Sequence, residues 1–204
     1  MSTTAQVEFW FDATCPWTWV TAQWMKEVTK VRDIEVAWRP FSLFQLNDGR
    51  DLPSSYREHI NRTVGVPRVT MAVAEQFPEK LEEFYFALGR LIHNESKKDN
   101  DYRDALAGAL DQTGLPADLI DNAETDDLDE KLQASTDAGL QKVGDDVGVP
   151  IVSLDDTAFF GPVLSKAPTG EEAGQVFDGA VALAKYPGFY ELKRTRNDVS
   201  PEFL

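Results

Sequence analysis

Apolar and polar positions follow two different periods near the start of the chain. Residues 7–11 form a short apolar and aromatic run, which is typical of a buried strand. Apolar side chains then recur every three or four positions from Trp17 to about Arg32, which predicts an amphipathic helix. Residues 34–38 alternate, which predicts a second strand. A strand, a helix and a strand in this order form a βαβ unit with a parallel strand pair.

Helical patterns alone fill the middle of the chain. A helix-start signal lies at residues 51–54, and no strand signal returns before about residue 150. Glycines, prolines and a polar run at 94–100 separate the segments. The predicted helical segments are 54–63, 67–76, 79–92, 101–113, 116–123 and 127–143.

Strand signals return near the end of the chain. Ile151–Leu154 and Thr157–Phe160 flank a turn at residues 155–156, which predicts a β-hairpin, and a last helix is expected over about 171–185. The pattern predicts an α/β fold, with a four-stranded mixed sheet carrying helices on its faces and an all-helical insertion. We expect residues 1–50 and 146–204 to form the sheet domain and 51–145 to form the helical insertion subdomain.

Composition and charge remove several classes of function. The chain has 204 residues and is 42% hydrophobic, so it can bury a core and is not a disordered protein. It lacks an apolar run near the roughly 20 residues that span a bilayer, and its polar first residues do not form a secretory signal. We therefore expect a cytoplasmic protein with no membrane partner. The net charge of -15 argues against a nucleic-acid partner, because phosphate binding depends on Lys and Arg.

Candidate chemistry narrows to one thiol. Cys15 is the only cysteine and the chain has only two histidines, so no metal site is expected. Pro16 suits the first helical position, which makes Cys15 the N-cap residue. The amides of Trp17 and Thr18, the Thr18 hydroxyl and the positive end of the helix dipole all favour a thiolate. A free cysteine is more often a small buried apolar residue, but this placement predicts a reactive Cys15 with a pKa well below that of an ordinary thiol.

A second feature is the pair Val149 and Pro150, directly before the predicted strand at Ile151. Taken alone, this pair fits an ordinary trans turn at a strand start, because only about 5–6% of such bonds are cis.

Together these residues resemble the DsbA-like thioredoxin-fold family, in which a Cys-Pro-Trp motif begins the first helix and Val-Pro precedes the third strand. The resemblance extends over nearly the full length and is closest to the actinobacterial mycothiol-dependent reductases, including a nitroreductase. The stretches that carry it are residues 9–12, 15–17, 30–36, 51–53, 92–94, 159–166 and 191–196.

The resemblance implies a thioredoxin fold of the form βαβ…ββα with a helical insertion. It implies that the Val149–Pro150 bond is cis and faces the sulfur, and that Trp17, Asn47 and Tyr56 line the pocket beside Cys15. It further implies mycothiol, a low-molecular-weight thiol, as co-substrate, and no tightly bound cofactor.

One departure changes the mechanism. The family motif is Cys-Pro-Trp-Cys, whereas this chain has Thr18 at the position of the second cysteine. A disulfide attacked by Cys15 must then be resolved by an external thiol. The expected function is a cytoplasmic thiol-disulfide oxidoreductase that acts on a small thiol or disulfide and, as in the nitroreductase, on a small aromatic electrophile.

Two alternatives remain open at this point. A transferase or isomerase similar to the kappa-class glutathione transferases would activate a bound thiol with a hydroxyl, a role for Thr18 or Thr14. A non-catalytic thioredoxin-fold binding module would use neither.

Overall fold

A computed structural model of the protein describes residues 4–195 and 200–204. Four strands form one mixed sheet in the order β2-β1-β3-β4. The strands are β1 (Ala5–Phe11), β2 (Ile34–Pro40), β3 (Ile151–Leu154) and β4 (Thr157–Phe160). Strand β1 runs parallel to β2 and antiparallel to β3, and β3 pairs antiparallel with β4. This confirms the predicted βαβ unit and the predicted hairpin.

The helices follow the predicted segments, with one addition. They are α1 (Pro16–Val28), α2 (Leu43–Leu46), α3 (Ser54–Thr63), α4 (Gly65–Gln76), α5 (Leu81–Gly89), α6 (Arg103–Thr113), α7 (Asp129–Val143) and α8 (Gly170–Ala184). Three short 3-10 turns lie at Pro78–Lys80, Asn100–Tyr102 and Ala117–Glu124, and a π-helical turn extends α5 over Arg90–Asn94. Helix α2 was not predicted, because four residues are too few to show a helical period.

One apolar core joins the sheet to the helices of residues 51–145. Phe9 and Phe11 of β1 are fully buried, and Phe11 stacks on Tyr85 of α5 with ring centroids 3.8 Å apart. Trp38 of β2 packs against the same two phenylalanines. The division of the chain into a sheet domain and a separate helical subdomain therefore stays a prediction.

A smaller apolar cluster lies where β1 ends. Trp10, Phe41, Val149 and Ile151 form its buried part, and Cys15 packs against it together with Leu43, Leu46, Leu140 and Val143. The end of β1, the start of α1 and the start of β3 therefore meet at the cysteine.

Candidate active site

The cysteine sits at the start of α1 in the predicted way. Its backbone is extended, with φ -81° and ψ 113°, and it is the N-cap residue with Pro16 at the first helical position. The Cys15 N–H donates to the backbone carbonyl of Asp12 at 3.0 Å, and its carbonyl accepts from the Trp19 N–H at 3.0 Å. The thiol is therefore presented by a tight turn between the central strand and the first helix.

Three donors surround the sulfur. The hydroxyl and the amide of Thr18, and the amide of Trp17, each lower the pKa of the Cys15 thiol. The Cys15 side chain makes no capping hydrogen bond in this state, and the buried Thr18 Oγ1 has no hydrogen-bond partner among the described residues. These donors are thus available for the thiolate.

The predicted low pKa of Cys15 is wrong. Burial is the largest influence and raises the pKa of the thiol, and the charge of Asp12 raises it further against the three donors. Cys15 keeps part of its surface exposed, but the apolar cluster around it replaces much of its water. The local argument from a helix end left out this desolvation, which comes from residues distant in sequence.

Asp12 is a buried acid beside the cysteine turn that the sequence reasoning did not single out. Its side chain is 1% exposed. Oδ1 accepts from the Thr14 N–H at 2.9 Å and from the Thr14 hydroxyl at 2.7 Å, and Oδ2 accepts from the Leu43 N–H at 2.9 Å. Burial raises the pKa of Asp12, whereas these hydrogen bonds and the exposed His59 lower it. An aspartate directly after a buried strand, three residues before the cysteine, was the available signal.

His93 supports the same turn from the other side. Its Nε2 lies 2.8 Å from the Ala13 carbonyl oxygen, so this nitrogen carries the proton and donates. The ring is 4% exposed and stacks against Trp19, and burial lowers its pKa to about 4. A position near a helix end suggests a surface histidine, but the π-helical turn places His93 in the core.

The Val149–Pro150 pair has the peptide geometry that the resemblance implies, whereas its facing the sulfur stays a prediction. The peptide bond is cis, and Val149 is buried in the cluster against which Cys15 packs. A second cis bond, Gly161–Pro162, was not predicted.

The other predicted pocket residues differ in their burial and in the groups with which they interact. Trp17 is half-buried beside Cys15. Asn47 ends α2 and is buried, and its Nδ2 donates to the Leu43 carbonyl at 2.7 Å. Tyr56 of α3 is 41% exposed, and its pKa is raised first by burial and then by the charge of Cys15. Tyr56 is therefore within electrostatic reach of the sulfur, while the Asn47 amide is directed to its own helix.

Two classes of feature are missing from the described part of the chain. No three or more histidine, cysteine, aspartate or glutamate side chains gather there in a way that could hold a metal ion. None of the helices described combines the length and apolarity that crossing a membrane requires.

The amino-acid sequence of residues 14–194 matches a family described as Rv2466c-like, mycothiol-dependent nitroreductase Rv2466c. The chain belongs to this Rv2466c-like family. The matched residues include Cys15 and residues 191–194 of the stretch 191–196 that carries the resemblance. Arg196, at the end of that stretch, lies outside the described residues. Membership in the Rv2466c-like family supports thiol-dependent reduction as the chemistry of the site.

One relative and several solved structures are similar to this chain over most of its length. The uncharacterized protein Rv2286c of Mycobacterium tuberculosis is 27% identical over 198 residues, which cover 97% of this chain and 85% of that protein. A probable DsbA oxidoreductase of Streptomyces coelicolor, SCO1869, has a TM-score of 0.61 at 20% identity, with 94% of each chain covered. A 2-hydroxychromene-2-carboxylate isomerase has a TM-score of 0.57 at 13% identity, covering 88% of this chain and 95% of that one. These likenesses confirm the predicted DsbA-like thioredoxin fold.

Proposed function

We propose that this Rv2466c-like protein is a cytoplasmic monothiol oxidoreductase that uses mycothiol as its co-substrate. The observation that carries the proposal is the placement of the single cysteine. Cys15 lies at the N-terminus of α1, faces three donors from Trp17 and Thr18, and packs beside Val149. An anion-stabilising helix start with a partly exposed thiol suits nucleophilic attack on sulfur.

The reaction proceeds in two exchange steps. The Cys15 thiolate attacks a mixed disulfide between a substrate thiol and mycothiol, the disulfide bond breaks, and the substrate leaves as a thiolate. Cys15 is now joined to mycothiol. A second mycothiol thiolate attacks this adduct, releases Cys15 and forms mycothiol disulfide. The Thr18 hydroxyl and the two amides stabilise the Cys15 sulfur whenever it is an anion.

The same site can serve an aromatic electrophile. Oxidation of two mycothiol molecules to the disulfide provides two electrons and two protons for a nitroaromatic compound. Trp17 and Tyr56 supply aromatic surface beside the sulfur, and both keep part of that surface exposed. We assign the electrophile to this side of the site.

A transferase is the second candidate, and Thr18 favours it. The buried Thr18 hydroxyl has no partner among the described residues, so it is available to a bound thiol, whereas the Thr14 hydroxyl already donates to Asp12. A hydroxyl-activated transferase keeps its activity when the cysteine is removed.

Intact mass spectrometry tests the proposal. We expect mycothiol disulfide to add one mycothiol to the wild-type protein much faster than glutathione disulfide adds one glutathione. Cys15→Ala should take up neither. Retained transfer activity in Cys15→Ala would favour the transferase, and neither adduct nor activity in any form would favour a binding module.

A further inference from the structure

The carboxylate of Asp12 connects two parts of the site that are separate in sequence. Its Oδ1 holds the turn of residues 12–15 through both donors of Thr14. Its Oδ2 accepts from the N–H of Leu43, the first residue of α2. The two oxygens thus tie the cysteine turn to α2, across 31 residues of sequence.

The contacts of α2 make this connection relevant to the thiol. Leu43 and Leu46 of α2 pack against the same apolar cluster as Cys15. Asn47 ends the helix, and the Leu43 carbonyl accepts from its side chain. A shift of the Asp12 carboxylate therefore moves one wall of the site together with the cysteine turn.

We propose that Asp12 is a positioning residue for Cys15: it joins the cysteine turn to α2, and its carboxylate, held in the same turn as the thiol, acts on the sulfur by its charge. The inference rests on the proposed function of Cys15 as nucleophile. The three donors that Asp12 accepts from are all neutral, and burial leaves its charge poorly screened by water.

Besides Cys15, the described groups that share a charge interaction with Asp12 include three tyrosines and one histidine. Asp12 acts by its charge on tyrosines from three neighbouring elements and Cys15 acts on two of these, Tyr56 and Tyr85, whereas the exposed His59 of α3 acts on Asp12 with the opposite sign. These tyrosines are Tyr56 of α3, Tyr85 of α5 and Tyr102 of the 3-10 turn before α6. Neutral phenols cannot offset the carboxylate, so its charge raises the pKa of the Cys15 thiol.

The test is the rate of alkylation of Cys15 by iodoacetamide as a function of pH. In Asp12→Asn we expect the midpoint to fall by about one pH unit relative to the wild type. Asp155→Asn is the matched control, because Asp155 is an exposed acid in the β3–β4 turn at the opposite end of the sheet from Cys15. The control should keep the wild-type midpoint. An unchanged or higher midpoint in Asp12→Asn would overturn the proposal.

A measurement on the wild type alone covers the case in which Asp12→Asn does not fold. If Asp12 and Cys15 are coupled, their protons leave in two steps. The logarithm of the alkylation rate should then rise, flatten and rise again as the pH increases. A single rise of constant slope, measured from a pH at which Asp12 is protonated up to the midpoint, would contradict the coupling. Iodoacetamide needs no mycothiol, so this result is independent of whether Cys15 forms the adduct on which the proposed function depends.

Discussion

Thr18 occupies the position that decides which reaction the thiol can complete. It is the third residue of α1, one turn from Cys15, and its hydroxyl is among the groups that lower the pKa of the thiol. A hydroxyl can stabilise a sulfur anion but cannot attack a disulfide. The chemistry of the site therefore stops at the mixed disulfide until a second thiol arrives.

Thr18→Cys should shorten the lifetime of the Cys15 adduct. The introduced thiol lies next to the mixed disulfide and attacks it at a high effective concentration. In buffer without free thiol, the wild-type adduct should persist while the adduct of the variant decays. The measurement is intact mass against time, with Thr18→Val as a control of similar size that has no thiol. Equal lifetimes in all three proteins would mean that position 18 does not face the sulfur.

Residues of the site differed in how far the sequence could predict them. The N-cap placement of Cys15 could be predicted, because Pro16 is adjacent and its preference is local. The burial of Asp12 and His93 could not, because their partners lie 31 and 80 residues away. The error in the direction of the Cys15 pKa has the same origin, since the side chains that desolvate the thiol come from β3, α2 and α7.

At the scale of elements, local signals located the helices and strands well. The hairpin agrees with its prediction because the turn is specified by adjacent residues, with Asp155 in the left-handed region at φ 53°. The helix predicted over 79–92 is divided into a 3-10 turn, α5 and a π-helical turn. Apolar spacing does not distinguish these forms, and the contacts of the π-helical turn, through His93 with Trp19 and with the turn before Cys15, are distant in sequence.

Gly89 lies at the junction of α5 and the π-helical turn, and Gly89→Ala should destabilise the protein by about 1–3 kcal/mol. A β-carbon there would lie 2.4 Å from Cζ3 of the buried Trp19 ring. Trp19 cannot easily yield, because its Nε1 donates to Asn94 and its ring packs against Tyr85. The measurement is the free energy of unfolding in urea.

Gly179→Ala is the matched control for this substitution. Gly179 lies inside α8, and a β-carbon there would meet nothing within 4 Å. Alanine at such a position should stabilise the protein by about 0.5–1 kcal/mol. Equal effects of the two substitutions would mean that the Trp19 ring does not constrain Gly89.

At the scale of the whole molecule, folding stability is linked to pH through His93. Its pKa is about 4 in the folded protein against an ordinary value of 6.5, because burial disfavours the charged ring. Between these values the unfolded chain binds a proton that the folded protein does not, so the free energy of unfolding decreases as the pH falls. Above pH 6.5 both states are neutral and this contribution is constant.

The wild type should therefore lose about 2 kcal/mol more stability than His93→Gln between pH 7.5 and pH 5. Glutamine can still donate to the Ala13 carbonyl but does not titrate. The wild type and His93→Gln share every other ionisable group. The difference between their changes in the free energy of unfolding therefore reports the histidine alone and not the 35 acidic residues. Urea denaturation at the two pH values measures it, and parallel losses in both proteins would exclude the linkage.

The pairing of β1 on both sides determines how the site can open. Residues 7–10 have β2 on one side and β3 on the other, so this part of the strand separates only together with the rest of the sheet. The turn that holds Cys15 begins at the end of this strand and cannot fray on its own. We therefore expect any local opening that admits a bulky disulfide to occur at the opposite wall, which α2 forms. There, the Asp12 carboxylate hydrogen-bonds the four-residue α2 to the cysteine turn, beside the apolar contacts of Leu43 and Leu46.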